Sequence, residues 1–276
     1  MPTIDVPGIG PIVLVDREQL RFKLHGRQLA IPYHLKKLMQ EVPPPPAAFD
    51  LSKSEQIVFP ILGNNKYGDC FYAAVAHIAQ CWTGNAGTEC QFDENQLTKR
   101  YLQIAGGDNG LDDGTIFPEF MAGIVGPNGP RKILQEFTID PKDEATATLC
   151  MWAFCGLVWT CSLPGGWANN AKPGAIWDEH GGSPVGGHAM ILTGKNPKGY
   201  DLRTWGVSPP PILTQKGLLS ADPELVVCIS MDMFSPAGVA PCGANYDQIS
   251  ALLVTLGGKP LPPNPFPPAA PLDWLI

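Results

Sequence analysis

Eight cysteines stand in this chain, at 70, 81, 90, 150, 155, 161, 228 and 242, and one is set apart by its neighbours. Cys70 follows Gly68 and Asp69 and opens the run CFYAAVAHIAQCW, whose small apolar residues predict a helix. A thiol attacks carbon as its thiolate, and the unpaired amides and dipole of a helix start favour that anion. Asp69 is a good N-cap, but its carboxylate beside the thiol raises the thiol pKa. A thiolate nucleophile also needs an imidazole that pairs with it and then protonates the leaving group. Among the five histidines, His25 and His34 come early and His180 sits in the loop-like WDEHGGSPVGG. His77 lies on the helix of Cys70, about 10 Å along its axis, and reads as scaffold. His188 differs, because it opens the strand HAMILTG directly after Gly186 and Gly187 and so stands at a sheet end open to a close-packed neighbour.

The elements that must position this pair are legible in outline. The stretch GPIVLV predicts a strand and IPYHLKKLMQEV a helix, and the prolines at 43 to 46 then stop any helix. Residues 1–52 therefore read as an N-terminal extension before a main domain over 53–235. They are short and show no processing site, which speaks against an inhibitory segment across the cleft. Helices are predicted over 70–82, over 93–104 with Asp93 as N-cap, and over GTIFPEFMAGIVG with Pro118 in its first turn. After Lys132, LVWTCSL, HAMILTG, YDLRTWG and LVVCIS read as strands between Gly/Pro turns. Helices first and strands second predict an α+β domain, its helical N-terminal half facing an antiparallel β C-terminal half across a cleft. Residues 236–276 read as a C-terminal helix and a tail with seven prolines after residue 259, irregular or polyproline II and suited to docking on a protein partner.

Composition excludes several classes. The net charge of −7 comes without any Lys/Arg run, so no surface for nucleic-acid phosphates is expected. The apolar run LCMWAFCGLVWTCSL from Leu149 is too short for a membrane helix, which needs about 20 residues, and reads as a buried strand with its approach. No membrane association is expected. An N-terminus with an acidic residue and prolines carries no export signal, which points to a reducing, cytoplasmic or virion-associated setting with mostly unpaired thiols. No C-x-x-C pair occurs, so no zinc is expected at Cys150, Cys155 and Cys161. The stretch DNGLDDGTIFPE lacks the alternating ligands of a calcium loop, and GPNGPRK lacks the phosphate-loop spacing. Neither metal nor cofactor is expected. Trp152, Trp159, Trp167 and Trp177 precede His188, as aromatic core or as cleft lining.

In order along the chain, GNNKYGDCFYAA, GGHAMILTG and YDLRTWG resemble the successive motifs of the papain-like cysteine peptidase fold. The first is similar to the G-N-[DN]-x-x-G-D-C motif of a bacterial and phage group within it. The resemblance covers about residues 55–235. It implies Cys70 as nucleophile, His188 as general base and acid, and Asn64, with Asn65 as alternative, as a side-chain donor that joins the Cys70 amide at a developing oxyanion. Both asparagines also suit a plain turn. Where the pattern has an asparagine two positions before Trp205 this chain has Arg203, which cannot accept an imidazole N–H. That leaves Thr204, Asp201 or a backbone carbonyl to orient His188, with Trp205 shielding it. The implied activity is a thiol hydrolase acting on a peptide or another acyl substrate; the alternative is an inactive papain-fold binding or assembly protein.

Overall fold

The computed structural model describes residues 1–18, 42–52, 57–87, 89–105, 124–126, 129–131 and 133–266. The chain begins with a hairpin, β1 (Thr3–Val6) and β2 (Gly10–Val13), followed by a short β3 (Phe49–Asp50). Two helices come next, α1 (Cys70–Ala86) and α2 (Glu94–Ala105), and then the hairpin β4 (Ile124–Gly126) and β5 (Gly129–Arg131). The C-terminal half holds β6 (Ile133–Ile139), α3 (Glu144–Phe154), β7 (Leu157–Pro164), α4 (Gly165–Asn169), β8 (Ile176–Trp177) and β9 (Pro184–Asn196). It finishes with β10 (Gly199–Arg203), β11 (Ile212–Leu213), α5 (Gln215–Ser220), β12 (Glu224–Ser230) and α6 (Tyr246–Thr255).

The main sheet has the order β6-β12-β7-β9-β10-β11-β8, with β3 also paired to β9. Every neighbouring pair is antiparallel except β11 with β8. The fold is thus α+β, with α1 and α2 in the N-terminal half and most of the main sheet, with α3 to α6 among its strands, in the C-terminal half. β9 is long and buried from His188 to Leu192, because it is paired on both edges and covered by α1. α1 is buried along almost its whole length, from Cys70 to Thr83, so its alanines, Val75 and Ile78 allow the close approach to the sheet that a bulkier helix would not. Trp82, fully buried, donates from Nε1 to the Phe154 carbonyl at 2.9 Å and locks α1 to the end of α3. Each such large side chain contributes about 1.5–3 kcal/mol of burial.

One sequence expectation fails, and a second falls largely outside the described residues. Residues 149–154 are the second half of α3, and the strand begins only at Leu157. A segment apolar on all sides has no period to separate helix from strand. The deciding signal is Asp143, which accepts the Thr146 amide at 3.0 Å as N-cap, with Cys155 in the left-handed region closing the helix. The helix predicted over 114–126 falls largely outside the described residues, and its last three, Ile124–Gly126, form a strand. The helix predicted in IPYHLKKLMQEV also lies outside them, apart from Val42. Asp93 caps α2 through the Gln96 amide at 2.8 Å, as its position predicts. None of the described helices is long and apolar enough to cross a membrane.

Candidate active site

Cys70 is the first residue of α1, and His188 lies in β9, the strand that α1 covers. Both side chains line one cavity of about 20 Å³, walled also by Asn64, His77, Thr204 and Trp205. Each of the two is only 1% exposed. That burial decides their charge. Desolvation pushes the Cys70 thiol up to about 12, and the Asp69 carboxylate adds to the rise, against hydrogen bonds from the backbone of Ala189, Phe71 and Cys70 itself. Desolvation likewise lowers His188 to about 3. The resting pair is therefore a neutral thiol and a neutral imidazole. The helix start alone does not activate the thiol, because loss of water outweighs the dipole. Asp69 occupies the N-cap position, but its side chain makes no capping hydrogen bond.

Trp205 holds the imidazole from one side, with ring centroids 5.0 Å apart. Its backbone sits at φ 48°, a strained setting for a tryptophan, so β10 ends at Arg203 and the indole turns back over His188. The indole Nε1 donates to Asn64 Oδ1 at 3.3 Å. Behind it a chain of buried rings runs through Trp177, Trp167 and Trp159, with Trp167 and Trp177 stacked at 5.4 Å. Those three are core rather than cleft lining. Trp152 lies apart, against Phe49.

The remaining sequence candidates divide. Thr204 is 3% exposed, and its Oγ1 has no hydrogen-bond partner among the described residues. The same holds for His188 Nδ1. Both residues line the cavity, which has room for about one water. Asp201 is elsewhere: it pairs with Gly194 in the sheet and accepts from Asn196 Nδ2 at 2.8 Å, about 20 Å of strand from His188. It cannot orient the imidazole. Arg203 also lines the cavity, but its N–H groups go to a buried knot, donating to Asp50 Oδ2 at 3.1 Å, to Thr193 Oγ1 at 3.4 Å and to Ser52 Oγ. His77 meets the Pro60 carbonyl at 2.8 Å, and burial lowers it to about 4. His180 is exposed and beside Glu179.

Asn64 lines the cavity, but its amide donates to the carbonyls of Tyr67 and Val13, each at 3.3 Å, so no donor is left for an oxyanion in this arrangement. Val13 is the last residue of the N-terminal hairpin. Val13 N donates to the Asn64 carbonyl at 2.9 Å. Val15 exchanges both backbone hydrogen bonds with Gly187, at 3.1 and 2.7 Å. The sequence reading missed Val13, Val15 and Gly187 as neighbours of the site. The alternation in GPIVLV marks a strand but not its partner.

All eight cysteines are buried thiols. Among the described residues no cluster of His, Cys, Asp and Glu is arranged to hold a metal ion. No family model and no curated protein matches the chain. Solved structures do. Xylellain, a cysteine protease from Xylella fastidiosa, superposes with a TM-score of 0.54 at 15% identity over 73% of this chain and 91% of its own. The digestive procathepsin L 3 of Tenebrio molitor larval midgut gives 0.51 at 10% identity over 74% of each chain. At such identities the likeness speaks to architecture, and the architecture of this chain is papain-like.

Proposed function

We propose that the protein is a papain-like thiol hydrolase, a peptidase or amidase, with Cys70 as nucleophile and His188 as general base and acid. The observation that supports this reading is that Cys70, at the start of the central helix, and His188, beneath the Trp205 indole, line the same cavity. In the reaction the Cys70 proton passes to His188 as sulfur bonds to the acyl carbon. The carbonyl oxygen becomes an anion facing the Cys70 amide and, once released from Val13, the Asn64 side chain. The C–N bond then breaks, His188 gives its proton to the leaving amine, and water, deprotonated by the same imidazole, hydrolyses the thioester. Thr204, whose buried hydroxyl is uncommitted and lines the same cavity as His188, would reach the ring through one cavity water in place of the asparagine that Arg203 replaces. The similarity to the bacterial and phage group rests on the GNNKYGDC motif alone.

Cys70→Ala is expected to abolish cleavage across a panel of fluorogenic peptides and activated esters, lowering kcat by about 10⁴-fold, while leaving thermal unfolding within a few degrees. Wild-type turnover that survives the substitution would refute the assignment. The second reading, an inactive papain-fold binding protein, draws on the neutral buried pair and on the commitment of Asn64 to Val13. It expects no hydrolysis of any member of the panel by the full-length protein.

A further inference from the structure

A second cavity, of about 470 Å³, lies at the far end of α1 from Cys70, about 24 Å along the helix axis. No step of the proposed reaction uses it. Its size falls within the range of about 300–1,000 Å³ common to small-molecule sites. Thr83 and Ala86 of the last turns of α1 form one wall, and Met231, Phe234, Pro236 and Phe266 supply most of the apolar remainder. These walls are held in place from behind. Phe234, Tyr246 and Phe266 pack ring against ring, with centroids 5.0–5.7 Å apart. Phe266 rests on Gly238, where a Cβ would come within 2.8 Å of the ring. The Tyr246 hydroxyl donates to the Pro262 carbonyl at 2.9 Å and so fastens the stretch of tail that carries Phe266.

Three features of this cavity favour positive charge. Asp232 lines it, and no Lys or Arg does among the described residues; the Ser230 hydroxyl donates to the Asp232 carboxylate at 3.1 Å and orients it. The last turn of the 17-residue α1 carries no basic residue, so the negative end of its dipole stands at the cavity without a side-chain cation from its own helix. The rings of Phe234 and Phe266 add quadrupoles that attract organic cations. The lining hydroxyls are committed within the chain, Thr83 donating to the Ala79 carbonyl at 2.8 Å and Ser235 accepting the Val239 N–H at 3.3 Å. We infer that this cavity binds an organic cation with apolar substituents, of the trimethylammonium or alkylammonium class. An anion would meet the carboxylate and the helix end. A small inorganic cation would find one carboxylate where it needs about six oxygens. The site goes beyond the hydrolase reading and stands without it.

The test uses the full-length protein with isotope-labelled methionine methyl groups and reads the Met231 signal by NMR, assigned through Met231→Leu. Choline is titrated at constant ionic strength beside its uncharged isostere, the dimethylbutanol in which carbon replaces the ammonium nitrogen. The Met231 signal is expected to shift saturably with choline and to show about fivefold lower affinity for the alcohol. Asp232→Asn is expected to weaken choline about fivefold and to leave the alcohol unchanged. Ala86→Phe, which fills the cavity, is expected to remove both shifts. Equal affinity for the two probes, a choline shift that never saturates, or an Asp232→Asn variant that binds choline as tightly as wild type overturns the assignment. Should either variant not fold, the wild-type comparison of choline with the alcohol decides alone. The readout is a methyl shift remote from Cys70, so it is the same whether or not the protein hydrolyses any substrate.

Discussion

Arg203 and Thr204 are consecutive and both buried, yet they belong to opposite kinds of polar centre. Around Arg203 the donors meet acceptors: Asp50, Ser52 and Thr193 take its N–H groups, and the guanidinium lies 5.4 Å from the centre of the Phe59 ring. Around Thr204 the accounting stays open, since its hydroxyl and His188 Nδ1 have no partner among the described residues. A satisfied buried network fixes one structure, whereas unsatisfied buried groups cost stability and persist where something else uses them. The first centre ties the segment at 49–52 to β9 and β10. The second lines the cavity shared by Cys70 and His188.

By that contrast, the Arg203 centre breaks the fold when cut. Arg203→Met is expected to lower unfolding free energy by about 3 kcal/mol in urea titrations, because it leaves the part-buried Asp50 carboxylate without its cation, with only Ser52 still donating to it. Adding Asp50→Asn should return part of the loss; a single variant as stable as wild type would erase the distinction between the centres.

The next effect belongs to His188 and depends on pH. Its value in the fold, about 3, lies below the ordinary 6.5, so between these pH values only the unfolded chain takes up its proton. Stability from this group is therefore complete above pH 6.5 and falls as pH drops, by about 1.4 kcal/mol per unit, or about 2 kcal/mol at pH 5. His77, lowered to about 4, adds to the same trend. Urea titrations at pH 7 and 5 should show His188→Asn losing about 2 kcal/mol less than wild type over that interval. An identical loss in both proteins would mean that the ring is hydrated.

Thr204→Val is smaller and splits stability from activity. Its hydroxyl has no partner to lose, so stability should hold or rise slightly, while kcat falls about tenfold with KM unchanged. Thr204→Ser should restore kcat. A fall in stability without a change in kcat would make Thr204 a structural residue. Asp201→Asn, distant from the imidazole, is expected to change kcat less than about twofold, as for a substitution far from the reacting groups; a larger drop would reopen the choice of orienting residue.

The parts of this design that local chemistry controls were legible beforehand. The Gly-Asp-Cys start of a small-residue helix, the Asp93 cap and the short strands after Lys132 follow from periodicity, capping and turn residues, each a property of neighbours in the chain. Uniformly apolar residues 149–154 defeated that reasoning, since helix and strand are equally compatible with burial on every side. For the site, the order of Cys70 and His188 along the chain nominated the pair, and the replacement of an asparagine by Arg203 flagged the missing orienter.

What Arg203 does instead was not legible, because its partner Asp50 is 153 positions away and a lone Asp carries no mark of its destination. The sequence by itself determined which elements form and which groups have the right chemistry, through interactions spanning a few residues. Only the tertiary structure decided that Val13 and Val15 lie on Asn64 and Gly187, that Asp201 is beyond reach of His188, and that thiol and imidazole are both neutral. Those outcomes follow from burial and from contacts between distant segments, which no stretch of neighbouring residues encodes.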